Sequence, residues 1–108
     1  MSEAGSGYNE NKNRVREMEE QNKIETRVAV IGIVVENYDS AEPLNEILHQ
    51  YGRYIIGRMG IPYREKNINI ISVAIDAPQD VISALSGKIG RLPGVSAKTA
   101  YAARSVNH

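Results

Sequence analysis

The chain has 108 residues, with 13 Lys and Arg against 13 Asp and Glu, and contains no Cys, Trp or Phe. This length predicts one globular domain that can fold without disulfides or a structural metal. Because there is no cysteine, thiol catalysis, iron–sulfur ligation and cysteine zinc sites are excluded. The chain has no net charge, whereas a free-standing nucleic-acid binder usually has an excess of basic residues.

Residues 1–25 differ in composition from the rest of the chain. They carry six Glu and four Lys or Arg, with few apolar residues beyond Val15, Met18 and Ile24. This composition predicts a disordered or partly helical tail, followed by one folded domain over residues 26–108. No signal-like segment follows Met1 and no run of about 18 apolar residues occurs, so we expect a cytoplasmic protein without membrane spans.

The first half of the domain predicts a strand followed by a short helix. Residues 27–36 are rich in β-branched side chains and are typical of a buried strand. Asp39 and Glu42 have capping-box spacing, and Ser40 is a competing N-cap. The helix that follows has an apolar stripe formed by Leu44, Ile47, Leu48 and Tyr51.

The second half predicts two strands, a helix and a last strand. Residues 53–63 and 67–76 read as strands joined by a connection short enough for a hairpin. Pro78 can open the second helix, which should end within residues 90–93, and residues 94–103 alternate as a final strand. The buried face of this helix is formed by Val81, Ile82, Leu85 and Ile89.

This β-α-β-β-α-β order predicts an α+β, ferredoxin-like fold, in which a four-stranded antiparallel sheet carries two helices on one face. The first strand is apolar on both faces, and the third strand has only Ser72 as a polar residue on its second face. A sheet with one wet face should alternate apolar and polar residues. We therefore expect a partner over the open face, a second copy in a homodimer or homotetramer, with a monomer as the alternative.

Four segments resemble the small family of iron-only hydrogenase system regulators: residues 44–52 (LNEILHQYG), 56–63 (IGRMGIPY), 83–95 (SALSGKIGRLPGV) and 98–101 (KTAY). The resemblance covers about residues 26–103. It implies an ACT-like form of the ferredoxin-like fold. It also implies a non-enzymatic role in transcriptional regulation or ligand sensing.

The second predicted strand contains the first candidate ligand site. Gly57 and Gly60 flank Arg58 inside the strand, a pattern that indicates a β-bulge or a close approach by a backbone or ligand. Arg58 shares strand parity with Tyr54 and Ile56. We expect either a bulge with a solvated or interface-paired arginine, or a site for a small anionic effector.

The loop before the first helix contains the second candidate site, at Asp39 and Ser40. The resemblance to ACT domains implies an amino-acid effector bound at the corresponding loop. This chain has residues 41–43 (AEP) where the ACT pattern favours a glycine. Helix N–H groups could still hold a carboxylate there, and N-capping by either side chain is the other use.

Other chemistry finds little support in the sequence. His49 has no second histidine nearby, because His108 is terminal, so we expect no metal and no cofactor. No catalytic triad or carboxylate pair emerges, and residues 90–95 read as a backbone turn. Four tyrosines could pack or line an interface: Tyr51, Tyr54, Tyr63 and Tyr101.

Together these observations predict a non-enzymatic regulatory or small-ligand-sensing module that acts as a homo-oligomer. The alternative is a structural interaction or assembly accessory protein without a small-molecule ligand.

Overall fold

The computed structural model of the protein describes residues 25–103. Apart from Glu25, the predicted polar tail lies outside the described residues, as do residues 104–108. The six main elements are β1 (Thr26–Val35), α1 (Ala41–Gln50), β2 (Ile55–Tyr63), β3 (Ile68–Pro78), α2 (Gln79–Gly90) and β4 (Val95–Tyr101). Their order confirms the predicted β-α-β-β-α-β sequence.

The four strands form one antiparallel sheet in the order β2-β3-β1-β4. The longest strands, β1 and β3, therefore lie in the centre, and β2 and β4 form the edges. Helix α1 connects β1 to β2, and α2 connects β3 to β4. The two strands of each pair are not neighbours in the sheet, and both helices pack on the same face of it. This arrangement confirms the predicted ferredoxin-like, ACT-like fold.

The hydrophobic core lies between the helices and one face of the sheet. Alternate residues of β1 and β3 point into it, and α1 and α2 contribute the predicted apolar stripes. Burying one such aliphatic side chain contributes about 1.5–3 kcal/mol relative to leaving it exposed. The largest fully buried side chains are Ile31, Ile33, Leu44, Leu48, Val73, Ile75, Ile82, Leu85 and Ile89.

The opposite face of the sheet, which we call the open face, is apolar, and no helix within residues 25–103 covers it. Val28 and Val30 of β1 are 47% and 43% exposed, and Ile70 of β3 is 41% exposed. The β2 edge adds Met59 and Ile61, which pair with Ser72 and Ile70 respectively. The prediction that the central strands are apolar on both faces is confirmed.

The start of α1 differs from the predicted capping box. A 3-10 turn, Tyr38–Ser40, precedes the helix, and the Asn37 side chain caps that turn by accepting a hydrogen bond from the Asp39 backbone N–H at 2.9 Å. Ser40 occupies the N-cap position of α1 but makes no capping bond. Ser40 is therefore the N-cap by position, as one alternative predicted, but the expected side-chain capping bond from Asp39 or Ser40 is wrong, since the Ser40 hydroxyl bonds the Pro93 carbonyl instead.

Two loops meet at the end of the sheet where α1 begins. The Glu36 backbone N–H donates to the Gly94 carbonyl at 2.7 Å, and the buried Ser40 Oγ donates to the Pro93 carbonyl at 2.6 Å. Gly94 has a φ of +67°, and a Cβ there would lie 2.6 Å from the Cβ of Asn37. Only glycine fits this junction, which gives residues 93 and 94 the predicted backbone role.

The substitution Gly94→Ala should lower the free energy of unfolding by about 2 kcal/mol or more, because it combines left-handed strain with a steric clash. Gly90→Ala is the matched control, since a Cβ at Gly90 meets nothing within 4 Å. It should be neutral or stabilise by roughly 0.5 kcal/mol. Urea unfolding of the two variants checks the difference. Equal losses in both would contradict the close approach at Asn37.

The substitution Ser40→Ala should lower the free energy of unfolding by about 1–2 kcal/mol, since the Pro93 carbonyl loses its donor. Asp39→Ala serves as the control, because Asp39 is exposed and its own hydrogen bond is made by the backbone. Its effect should stay within about 0.5 kcal/mol. If Asp39→Ala lowered the free energy of unfolding more than Ser40→Ala does, Asp39 would cap the helix after all.

Candidate functional site

A β-bulge decides where Arg58 lies. The pairing of β2 with β3 shifts between Ile55 and Gly57, which confirms the predicted bulge. Beyond the shift Arg58 pairs with Val73, a core residue that faces the helices. The predicted strand parity, which places Arg58 on the same face as Tyr54 and Ile56, is wrong because the bulge adds one residue between them. Arg58 therefore lies on the helix-facing side of the sheet and not on the open face.

Beyond the bulge, the helix-facing side of β2 lacks large apolar residues, whereas Ile55, before the bulge, packs against the core. Arg58, Gly60 and Pro62 occupy this side, where they pair with Val73, Ile71 and Asn69. A Cβ at Gly60 would only come within 3.8 Å of Ile71 Cγ1, so the space above this glycine is open. Because these three residues offer no large apolar side chain against which α1 could pack, a groove remains between α1 and β2.

The groove has two parts that share four lining residues. The smaller part, of about 200 Å³, lies beside Arg58 and Gly60, and the larger, of about 380 Å³, lies beside Arg64 and Asn67. The residues common to both are Val35, Ala41, Pro62 and Asn69. We call the two parts together the α1–β2 groove.

The charged residues that line the α1–β2 groove are of one sign. Among the described residues that line it, the charged ones are Arg58 and Arg64, and none is Asp or Glu. Arg58 Nη2 donates to Asn45 Oδ1 on α1 at 3.0 Å, so the guanidinium is held across the groove. Arginine and amide donors without acidic neighbours make the groove suited to an anion.

The structure brings together only some of the predicted site residues. Arg58 and Gly60 line the groove, whereas Gly57 pairs with Ala74 on the open face. Asp39 is exposed and outside the groove lining, and Ser40 is buried with its hydroxyl turned to Pro93. The five residues of the two predicted sites are thus divided among the groove, the open face and the loop that precedes α1.

Sequence reasoning missed Asn45 and Asn69. Asn45 follows Leu44 on α1, and its side chain reaches across to β2. Asn69 shares strand parity with Ile71, which places it on the helix-facing side at the groove. The parity of Asn69 was available from the sequence, but the distance from α1 to the edge strand was not.

The tyrosines mainly serve packing. Tyr51, Tyr54 and Tyr101 are partly buried against the core, and Tyr63 is exposed, with its hydroxyl donating to Glu65 at 2.8 Å. The Tyr101 hydroxyl accepts a hydrogen bond from Gln79 Nε2 at 2.7 Å. Its ring also carries a guanidinium 4.1 Å from the centroid, that of Arg27. Such cation–π contacts stabilise packing by about 0.5–1 kcal/mol at exposed sites.

His49 lies exposed on α1. Over residues 25–103, no group of three or more His, Asp or Glu side chains could hold a metal ion. Within the same range no helix is long and apolar enough to cross a membrane.

Solved structures support the fold and a relationship. The structure of the uncharacterized protein TM1266 from Thermotoga maritima is 38% identical, with a TM-score of 0.69, and the match covers 71% of this chain and 98% of that one. A formyltetrahydrofolate deformylase from Pseudomonas putida KT2440 matches at 12% identity and a TM-score of 0.50, over 67% of this chain and 28% of that one. The second match shows the fold alone.

No curated protein matches the chain. The family model of TM1266-like proteins, described as "Iron-only hydrogenase system regulator, putative", matches residues 27–99. The match spans β1 to β4 and agrees with the expected family. The chain therefore belongs to the TM1266-like family of iron-only hydrogenase system regulators.

Proposed function

We propose that this protein is a non-enzymatic, ligand-sensing regulator of an iron-only hydrogenase system that acts in the cytoplasm as a homodimer or homotetramer. Family membership supports the regulatory role. The open face supports self-association, and the α1–β2 groove supports a small ligand.

The observation that carries the proposal is the apolar open face. Val30 lies at its centre, between Ala74 of β3 and Ala100 of β4, and Gly32 pairs with Ser72 in the next row. These small side chains make the centre flat, so that a second sheet can approach closely. Larger apolar side chains surround the centre and would be removed from water: Val28, Met59, Ile61 and Ile70.

We take a second copy as the partner because the face carries a charge of each sign, which two copies could pair. A two-fold interface brings the same patch of both subunits together. Lys98 pairs with Gly32 and Asp76 pairs with Val28, which puts one exposed charge of each sign on the open face. In a two-fold arrangement, Lys98 of one copy can pair with Asp76 of the other.

The side chains of the groove support binding rather than catalysis. Its charged and amide groups, Arg58, Arg64, Asn45, Asn67 and Asn69, donate hydrogen bonds at neutral pH, and no carboxylate or imidazole accompanies them among the described lining residues. With the hydroxyls of Tyr38 and Tyr63, which line the larger part, such a set can hold an anion by charge and hydrogen bonds.

The alternative function is an accessory protein that docks on a different protein through the open face and needs no ligand. The same exposed apolar residues favour it. Two experiments separate the candidates, one on mass and one on ligands.

Val30→Glu should convert the oligomer to a monomer, because a carboxylate at the centre of the open face would be buried unpaired in the interface. Light scattering coupled to size-exclusion chromatography of the full chain measures the mass. Ala84→Glu is the matched control, since Ala84 is exposed on α2, on the other side of the sheet. It should leave the mass unchanged. A wild-type chain that stays monomeric at all concentrations would refute self-association.

Thermal unfolding in the presence of amino acids, carboxylates, nucleotides and divalent metals tests ligand sensing. A ligand that binds only the native state stabilises it by about 2.7 kcal/mol at ~100 times its Kd. We expect at least one of these classes to raise the Tm. If no class does so while the oligomer forms, the accessory function replaces the sensing function.

A further inference from the structure

We infer that the α1–β2 groove binds a small carboxylate with a short branched apolar chain, and that Arg58 anchors the carboxylate. The inference rests on the ligand-sensing part of the proposed function and names the chemistry of the ligand. It follows from three features of the groove: an oriented arginine, an apolar wall and the sign of the charges.

The first feature is the orientation of Arg58. One of its Nη atoms already donates to Asn45 Oδ1, which fixes the guanidinium between β2 and α1. A guanidinium carries five N–H donors, so the remaining donors are free to form the two-pronged contact that carboxylates favour. Asn69 lines the same part of the groove, where it pairs with Pro62, and offers an amide for a further hydrogen bond.

The second feature is the apolar wall beside Arg58. Val35 and Leu44 belong to the buried core, and their side chains reach the groove together with that of Ile71. Gly60 leaves the space above this wall open. A wall of branched aliphatic side chains in a space of about 200 Å³ suits a short branched chain better than a sugar or a nucleotide base.

The third feature separates a simple carboxylate from an amino acid. No Asp or Glu lines either part of the groove among the described residues. The α-ammonium group of an amino acid would therefore lose water without gaining a counter-ion. The Asn45 side-chain oxygen accepts from the cationic Arg58, so an ammonium that shared this oxygen would lie against a like charge. The groove should therefore prefer the acid that lacks the amine.

Isothermal titration calorimetry of the full-length chain with four probes tests this order. Isovalerate carries the carboxylate and the branched chain, isovaleramide removes the charge, and valine adds the α-ammonium. Inorganic phosphate is an anion without an apolar part. We expect isovalerate to bind at one site per subunit, and the other three probes to bind at least tenfold more weakly. Valine or phosphate binding as tightly as isovalerate would overturn the inference.

Two variants place the binding site in the groove. Arg58→Gln should weaken isovalerate binding at least tenfold, since a hydrogen-bonded charge contact is lost. Gly60→Val should do the same by filling the space above the apolar wall, with the charge intact; a β-branched residue is well tolerated in a strand. Arg53→Gln is the control, because Arg53 is also exposed but lies before β2, outside the groove lining.

Isovalerate binding that Arg58→Gln and Gly60→Val leave unchanged would contradict the assigned site. The failure of this inference is distinguishable from that of the proposed function. If a metal or nucleotide raises the Tm and isovalerate does not bind, the sensing function stands and the ligand class is wrong. The mass of the oligomer is measured independently of both ligand experiments.

Discussion

The structure depends on one constraint, which is that its two central strands are apolar on both faces. The helices α1 and α2 cover one face, and the core there is formed by nearly completely buried aliphatic side chains. A single sheet with only two helices cannot cover the second face from its own described residues. The free energy of leaving Val28, Val30 and Ile70 in contact with water is the physical reason that a second copy enters the proposal.

The same constraint explains why the order of elements could be predicted from the sequence. Strand and helix periodicity are local properties, and the stripe from Leu44 to Leu48 and the run from Ile82 to Ile89 show them without tertiary information. Side-chain alternation in β1 and β3 likewise assigned each residue to a face. The structure agrees at these positions because burial, the dominant stabilising term, follows the same periodicity.

The parts that could not be predicted depend on single insertions and distant contacts. One extra residue at the bulge moves Arg58 from one face of the sheet to the other, since strand parity has a period of two. The hydrogen bond from Ser40 to Pro93 joins residues 53 positions apart in the chain, which no local capping rule anticipates. The contact between Asn45 and Arg58 depends on how far α1 lies from an edge strand. The sequence therefore predicted the positive charge of the candidate site but not which residues line it.

β2 is the element that contributes residues to both the groove and the open face. Arg58 and Gly60 lie on its helix-facing side, and the intervening Met59 lies on the open face. As an edge strand it pairs only with β3, and beyond Ile55 its helix-facing side has no packed aliphatic side chain to hold it. A carboxylate that joins Arg58 to α1 would restrain this strand and so fix Met59 for contact with a second copy. Ligand binding and self-association would then favour each other, and linkage requires the effect to be reciprocal: the oligomer must bind the carboxylate more tightly than the monomer does.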